Sequence, residues 1–334
     1  MEKIFTKIEK VLTARGLKAK IPLNKKALVD DRRFLVIPCQ DGSGRDWLFK
    51  IQVLKLEGLG KSFRNEVQFL SFAQKTKIGA FIPKLLDSGE LEGNVWYLRE
   101  FISGQTLAAS EDIFPYDPKI LSKIKPILPA SFFYELANLS VGDAIKFIPQ
   151  IKRHDLDWKT YYSRFLKAHP EITKELEDGK ADDYLTPLQQ KKLLKLLMRP
   201  PEKVLTSYGW ALNHANLSPM NIVVGIEGRP AFIDWENICV GFGTSGFAEF
   251  WYRSFLLPDW QNKFLEERLK LERRKEEFLK IFYFSLVFGN VGLRNYFRQI
   301  WLEGKLTKSG YRLAVSMWSK IIGEAIEWLY KELD

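Results

Sequence analysis

The chain has 334 residues, 46% of them hydrophobic, and a net charge of +10, with two cysteines and three histidines. Such a chain buries a large core at a length that suits two lobes or domains. Cys39 and Cys239 lie far apart in apolar surroundings, which excludes a disulfide framework, and the scattered histidines exclude a zinc site.

The basic residues are spread along the chain, from Lys18, Lys20, Lys25, Lys26, Arg32 and Arg33 to Arg268, Arg273, Arg274 and Lys275. No zinc finger, RNP aromatic motif or Gly-rich tract accompanies them, so they read as solvated faces rather than a nucleic-acid surface. The first ten residues lack the uninterrupted apolar core of a secretion signal. Over residues 2–15, Ile4, Phe5, Ile8, Val11 and Leu12 recur at helical spacing and predict an amphipathic helix. Two β-rich runs follow, 34–39 and 47–54, separated by the polar turn 41–46, and predict a hairpin. In the second run Trp47, Phe49, Ile51 and Val53 share one apolar face, while Lys50 points to the other beside Leu48 and Gln52.

Residues 62–74 predict a helix capped by Ser62, with an apolar stripe of Phe63, Val67, Leu70 and Ala73. Glu66 falls inside that stripe. A carboxylate turned toward a core needs a cationic partner, because an unpaired buried charge is very costly, and Lys50 is the best candidate. A strand over 95–101 and a glycine-containing turn over 102–107 come next. The rest reads as mostly helical, with amphipathic stretches at 158–166 and 188–197 and three more from Asp259 onward. The last carries Ala314, Met317, Trp318, Ile321, Ala325, Trp328 and Leu329 on one face. The apolar run 281–293 is interrupted by Ser285, Gly289, Asn290 and Gly292 and is too short to span a bilayer. A soluble, cytoplasmic protein is expected.

The segment 212–236 carries the chemistry. It reads as a loop, a strand over 221–224, a Gly- and Pro-containing turn over 225–230, and a strand over 231–234. If the strands pair around that turn, Val224 faces Ala231 and Asn221 faces Asp234, with opposed side chains roughly 5 Å apart. An amide and a carboxylate so placed are oxygen donors suited to Mg²⁺. His214-Ala215-Asn216, then Asn221, then Ile233-Asp234-Trp235-Glu236 resembles the aminoglycoside phosphotransferase and choline kinase group of small-molecule kinases, which share the protein-kinase fold. That resemblance implies an α+β architecture of two lobes, a sheet-containing N-lobe over 1–103 and a larger, mainly helical C-lobe over 104–334. It implies that Asn221 and Asp234 hold Mg²⁺, that His214 braces the catalytic loop, and that residue 216 meets the substrate hydroxyl. The family has Asp where this chain has Asn216. In the first lobe it implies that Lys50, paired with Glu66, grips the α and β phosphates of ATP, and that the strand end at Glu100 is the hinge for adenine. The loop expected over the phosphates, 22–33, contains no glycine, and no Walker-type loop occurs elsewhere.

Other motifs are weaker. His154-Asp155-Leu156-Asp157 is followed by Thr160 where the pattern needs Asn, His169 precedes a proline, and no Gly-x-Ser-x-Gly elbow occurs. Glu249 stands where the family often has a further acid. Two function classes follow. One is an ATP- and Mg²⁺-dependent phosphotransferase acting on a small-molecule hydroxyl; the other is a pseudokinase serving as a nucleotide-binding or structural module. Asn216 favours the second; the retained Lys50, Glu66, Asn221 and Asp234 favour the first. The acceptor and the oligomeric state are not legible.

Overall fold

The computed structural model describes residues 2–23, 34–53, 59–108, 115–153, 185–198, 209–290, 293–304 and 306–333. The loop expected over the phosphates (from residue 24 on), the helix expected at 158–166, and His154, Asp155, Asp157, Thr160 and His169 lie outside them. The chain clusters into two compact units. The first joins residues 1–106 with 142–151 and 221–238; the second takes the remainder.

The first unit is organised by one five-stranded antiparallel sheet. Helix α1 (Glu2–Thr13) leads into β1 (Leu17–Ala19), β2 (Phe34–Asp41) and β3 (Asp46–Gln52). After helix α2 (Leu59–Ala73) come β4 (Leu85–Leu91) and β5 (Asn94–Glu100), giving the order β1-β2-β3-β5-β4. The period-2 alternation of β3 divides its side chains between two cores. Trp47, Phe49 and Ile51 join Phe5, Ile8 and Leu12 of α1 together with Leu35, Ile37 and Cys39 on one face. On the other face Phe34, Val95 and Tyr97 pack on Phe63 of α2. Lys50 is held on this second face with its ammonium 4.4 Å above the Phe34 ring. Helix α2 begins at Leu59, so Ser62 lies within its first turn and is not the cap. The glycine at 60 costs only about 1 kcal/mol inside a helix, too little to stop one whose inner face is fully buried.

A small sheet completes this unit, with Ile222–Val224 between Gln105–Thr106 and Pro230–Phe232. Gly104 is required there, because a Cβ on it would lie 2.2 Å from the Val224 carbonyl oxygen. The hairpin register is one residue off the expected one. Val224 pairs with Pro230 rather than Ala231, and the Ile233 N–H donates to Asn221 O at 2.9 Å. The cause is a three-residue loop, Ile226-Glu227-Gly228. Gly228 adopts φ +73° and its N–H donates to Gly225 O, while Gly225 N–H donates to Arg229 O. A type I turn closed by a left-handed glycine shortens the connection by one residue relative to the sequence reading.

The second unit sets a three-stranded sheet, Trp210–Asn213 antiparallel to Cys239–Phe242 and the latter parallel to Lys152–Arg153, beside a set of helices. Phe247, on the helix Ser245–Arg253, meets the rings of Phe133, Phe264, Phe278 and Phe282 and centres an aromatic core. Among the described residues four helices, not three, follow Leu257: Pro258–Leu271, Lys275–Asn290, Leu293–Leu302 and Lys308–Leu333. From Ile281 to Phe288 helix Lys275–Asn290 is buried on every side except at the half-buried Tyr283, so this stretch lacks the polar stripe by which periodicity counts helices. The expected face of the last helix is buried from Ala314 to Leu329, except that Trp328 is half-buried and stacks on Tyr283. No helix among the described residues is long and apolar enough to cross a membrane. Both cysteines are buried and neither is in a disulfide.

Candidate active site

Residues far apart in sequence converge in the first unit on the Lys50 ammonium. Its Nζ lies 3.3 Å from Glu66 Oε2, 3.2 Å from Asp234 Oδ1 and 2.6 Å from Glu236 Oε1. Lys50 can be only 9% exposed because three carboxylates and the rings of Phe34, Phe63 and Tyr97 surround it. Burial works against its charge, but Glu66, Tyr97, Asp234 and Glu236 outweigh that and hold its pKa well above the usual lysine range.

Glu66, 1% exposed, is anchored at both oxygens. Oε2 meets Lys50, and Oε1 accepts the Trp235 backbone N–H at 3.1 Å. The Trp235 ring is fully buried against Phe69, with centroids 4.1 Å apart, and its Nε1–H donates to Phe232 O. These contacts fix the segment that presents Asp234, whose φ of +64° is left-handed. A non-glycine residue in that region costs on the order of 1–3 kcal/mol and persists where its surroundings over-determine it. Here the Trp235 anchor and the Glu66 contact do so.

The expected Lys50–Glu66 pairing is thus present, but it is part of a larger group. Glu236 makes the shortest contact to Lys50 and was not singled out from the sequence as a site residue. Glu66, Asp234 and Glu236 each offer a carboxylate oxygen within 4.8 Å of the others. Three carboxylates facing one ammonium leave an excess of negative charge. Glu236 responds: burial pushes its pKa up to about 7, with Lys50 pulling down and Asp234 and Glu66 pushing up. Glu236 closes the Ile233-Asp234-Trp235-Glu236 motif, but its return toward Lys50 needs the left-handed φ of Asp234, which no sequence period reports.

Asn221 is 8% exposed and ends a short 3₁₀ turn, Pro219–Asn221, so its backbone joins the chain next to Asp234 through the Ile233 hydrogen bond. The register shift means that Asn221 is paired with Ile233 and not directly with Asp234. Glu100 stands apart from the cluster. It pairs across β3 with Trp47, three residues along from Lys50, a separation of about 10 Å at the rise of a strand. Its carboxylate meets Arg45 at 3.5 Å, and its backbone N–H donates to Lys84 O.

His214 and Asn216 belong to the second unit, on the loop after Trp210–Asn213. His214 is fully buried, Asn216 is half-buried, and Ala215 between them adopts φ +56°. Asn213 secures the root of this loop: its Nδ2 donates to Ala211 O and Phe242 O, and its Oδ1 accepts Gly246 N–H at 3.0 Å. Glu249 lies on helix Ser245–Arg253 and pairs with Arg253 at 3.0 Å.

An α+β chain with this sheet and carboxylate-held lysine belongs to the protein-kinase-like class of folds. The model of the phosphotransferase enzyme family (APH) matches residues 26–278. The chain belongs to that family of small-molecule phosphotransferases. No curated protein sequence matches it. Among solved structures it is similar to macrolide 2'-phosphotransferase MphH from Brachybacterium faecium, with 13% identity and TM-score 0.55 over 92% of this chain and 96% of that one. It is similar to a choline/ethanolamine kinase family protein from Mesorhizobium loti, with 12% identity and TM-score 0.54 over 99% of both chains. A third is an aminoglycoside phosphotransferase from Alicyclobacillus acidocaldarius, with 14% identity and TM-score 0.52 over 89% of both. At these identities the likeness is one of fold.

Proposed function

We propose that this chain transfers the γ-phosphoryl group of Mg·ATP to a hydroxyl of a small molecule, in the cytoplasm and without a nucleic-acid or membrane partner. The observation that carries the reading is the meeting of Lys50 with Glu66 and Asp234, residues 16 and 184 positions away, at the positions where the family motif expects them. The donor set fits a hard divalent cation, since carboxylate and amide oxygens suit Mg²⁺ and the cluster carries surplus negative charge. Asn221 and Asp234 would hold that ion, with Glu236 as a further carboxylate in reach; bound there, it supplies charge neutralisation for the phosphates.

The remaining roles belong to the chain itself. Lys50, oriented by Glu66, would meet the α and β phosphates, and the strand end at Glu100 would offer backbone groups to adenine. His214 would brace the loop. Asn216 would orient the acceptor hydroxyl, but an amide is essentially non-basic and offers only hydrogen bonds. Phosphoryl transfer rests mainly on positioning and electrostatics, so the missing base, typically worth about 10²–10⁴-fold, slows the reaction without abolishing it. Asn216 also favours a second reading, a pseudokinase that binds nucleotide without turnover.

The test is the rate of ATP-dependent phosphoryl transfer or basal ATP hydrolysis at saturating Mg·ATP in the wild type and in Asn216→Asp. A rise of at least about tenfold is expected, a floor below the usual worth of a general base. Equal, appreciable rates would mean that another group handles the proton. Absence of turnover in both, with nucleotide still bound, would establish the pseudokinase reading.

A further inference from the structure

The second unit contains a cavity of about 350 Å³, within the range of small-molecule sites. Ala215 of the 214–216 loop lines it, so the cavity adjoins the loop that carries Asn216. Its wall is balanced in charge and carries several side-chain hydrogen-bond acceptors.

Glu249 and Arg253 supply its formal charges, and they cancel: Arg253 Nε and Nη2 both lie 3.0 Å from Glu249 Oε1. Both contacts fall on one oxygen and leave Oε2 as an acceptor. Ser285 meets Thr244 Oγ1 at 2.8 Å, while the Thr244 hydroxyl donates to Ile281 O. The single Thr244 proton is thereby committed, so Ser285 donates to Thr244, and its own oxygen is left to accept. Asn290 Nδ2 donates to Leu286 O at 2.7 Å, which leaves Oδ1 as a further acceptor. Asn213 is already committed to Ala211, Phe242 and Gly246. The wall thus presents acceptor atoms in a charge-balanced setting, with the Ser245 and Tyr252 hydroxyls also in the lining, beside an apolar surface from Phe242 and Leu293.

Resting on the phosphotransfer reading, we infer that this cavity takes an uncharged polyol of about monosaccharide size as acceptor, with Glu249, Ser285 and Asn290 as its hydroxyl-recognising residues. Hydroxyl protons satisfy the acceptors, and ring C–H groups cover the apolar wall. A quaternary or polycationic amine finds no uncompensated carboxylate among the described lining residues, and only Phe242 and Tyr252 as aromatic walls. A chain of net charge +10 repels it further. A carboxylate or phosphate ligand finds no uncompensated cation among the described lining residues, with the Arg253 charge already taken by Glu249.

Gly289 gives a clean handle. It lines the cavity on helix Lys275–Asn290, and a Cβ there would meet nothing within 4 Å. Gly289→Leu therefore fills the cavity from a helical position that favours leucine over glycine. The experiment measures binding by calorimetry on the full chain, using uncharged pentoses, hexoses, alditols and inositols, against choline and glucosamine as cations and gluconate as an anion. Mg·ATP binding and Mg·ATP-dependent transfer are measured alongside. At least one uncharged polyol is expected to bind, to be lost in Gly289→Leu and to bind about tenfold more weakly in Asn290→Leu, with Mg·ATP affinity unchanged in both. Binding only of choline, glucosamine or gluconate would overturn the inference. So would binding of none, or a polyol affinity indifferent to both variants. Polyol binding lost in Gly289→Leu but without transfer would uphold the cavity's ligand class and sink the phosphotransfer reading. Transfer to choline or glucosamine would do the reverse.

Discussion

The Lys50 cluster and the cavity beside Ala215 are built on opposite principles. In the first unit, charge is held by charge: one buried ammonium is surrounded by three carboxylates and an aromatic face. In the second, the Glu249–Arg253 pair cancels, and what remains are oriented neutral dipoles. Desolvated charges interact strongly but tolerate no missing partner, whereas neutral hydrogen bonds contribute about 1 kcal/mol each and can be altered singly. The first region should therefore break as a unit and the second by degrees.

The largest expected effect is that of Lys50→Ala. It leaves Glu66, 1% exposed, without its cation, and should lower unfolding free energy by about 3–5 kcal/mol in denaturant titrations. Adding Glu66→Gln should return part of that loss. A stability change below 1 kcal/mol would mean the cluster is not the coupled unit its contacts describe. Next comes Asp234→Ala, which should remove the metal-dependent part of the stabilisation by Mg·ATP, about 2.7 kcal/mol at a ligand concentration of 100 Kd; thermal shifts with and without Mg²⁺ measure it. Asn216→Asp, with its tenfold or greater gain in rate, corresponds to at least about 1.4 kcal/mol of barrier.

The smallest effect concerns a buried group with no compensating partner charge. Burial pushes the Cys39 thiol up to about 12 from an ordinary value near 9, with the Phe49 backbone N–H pulling slightly the other way. Between those values the unfolded chain loses the proton that the folded chain retains. Stability should then be insensitive to this group below about pH 9 and fall as pH rises toward 12. Comparing denaturation of wild type and Cys39→Ala at pH 8 and pH 10 isolates the contribution, which should disappear in the variant.

Much of the first unit was legible because its signals are local and periodic. Alternation on β3 sorted Lys50 from Trp47, Phe49 and Ile51, and the stripe on α2 turned Glu66 inward, which together specify their meeting. The 214–236 spacing located Asn221 and Asp234 in one hairpin. The register slip escaped because the left-handed Gly228 sets the loop length, and a Gly-Arg-Pro run is compatible with several turns. Glu236 escaped because its approach to Lys50 depends on the φ of Asp234 and the burial of Trp235, neither of which has a sequence period. The cavity was illegible for a different reason: Ser285 and Asn290 read from sequence as interruptions of an apolar run, and only tertiary packing brings Ser285 to Thr244 and both residues to the cavity wall.

The central claim, that the Lys50–Glu66–Asp234 cluster serves a metal nucleotide, is tested most directly by titrating ATP into the wild-type chain by calorimetry, with and without Mg²⁺. The account predicts saturable one-to-one binding that strengthens with Mg²⁺, and loss of that Mg²⁺ dependence in Asp234→Ala. A wild-type chain that takes up no nucleotide under either condition would contradict it.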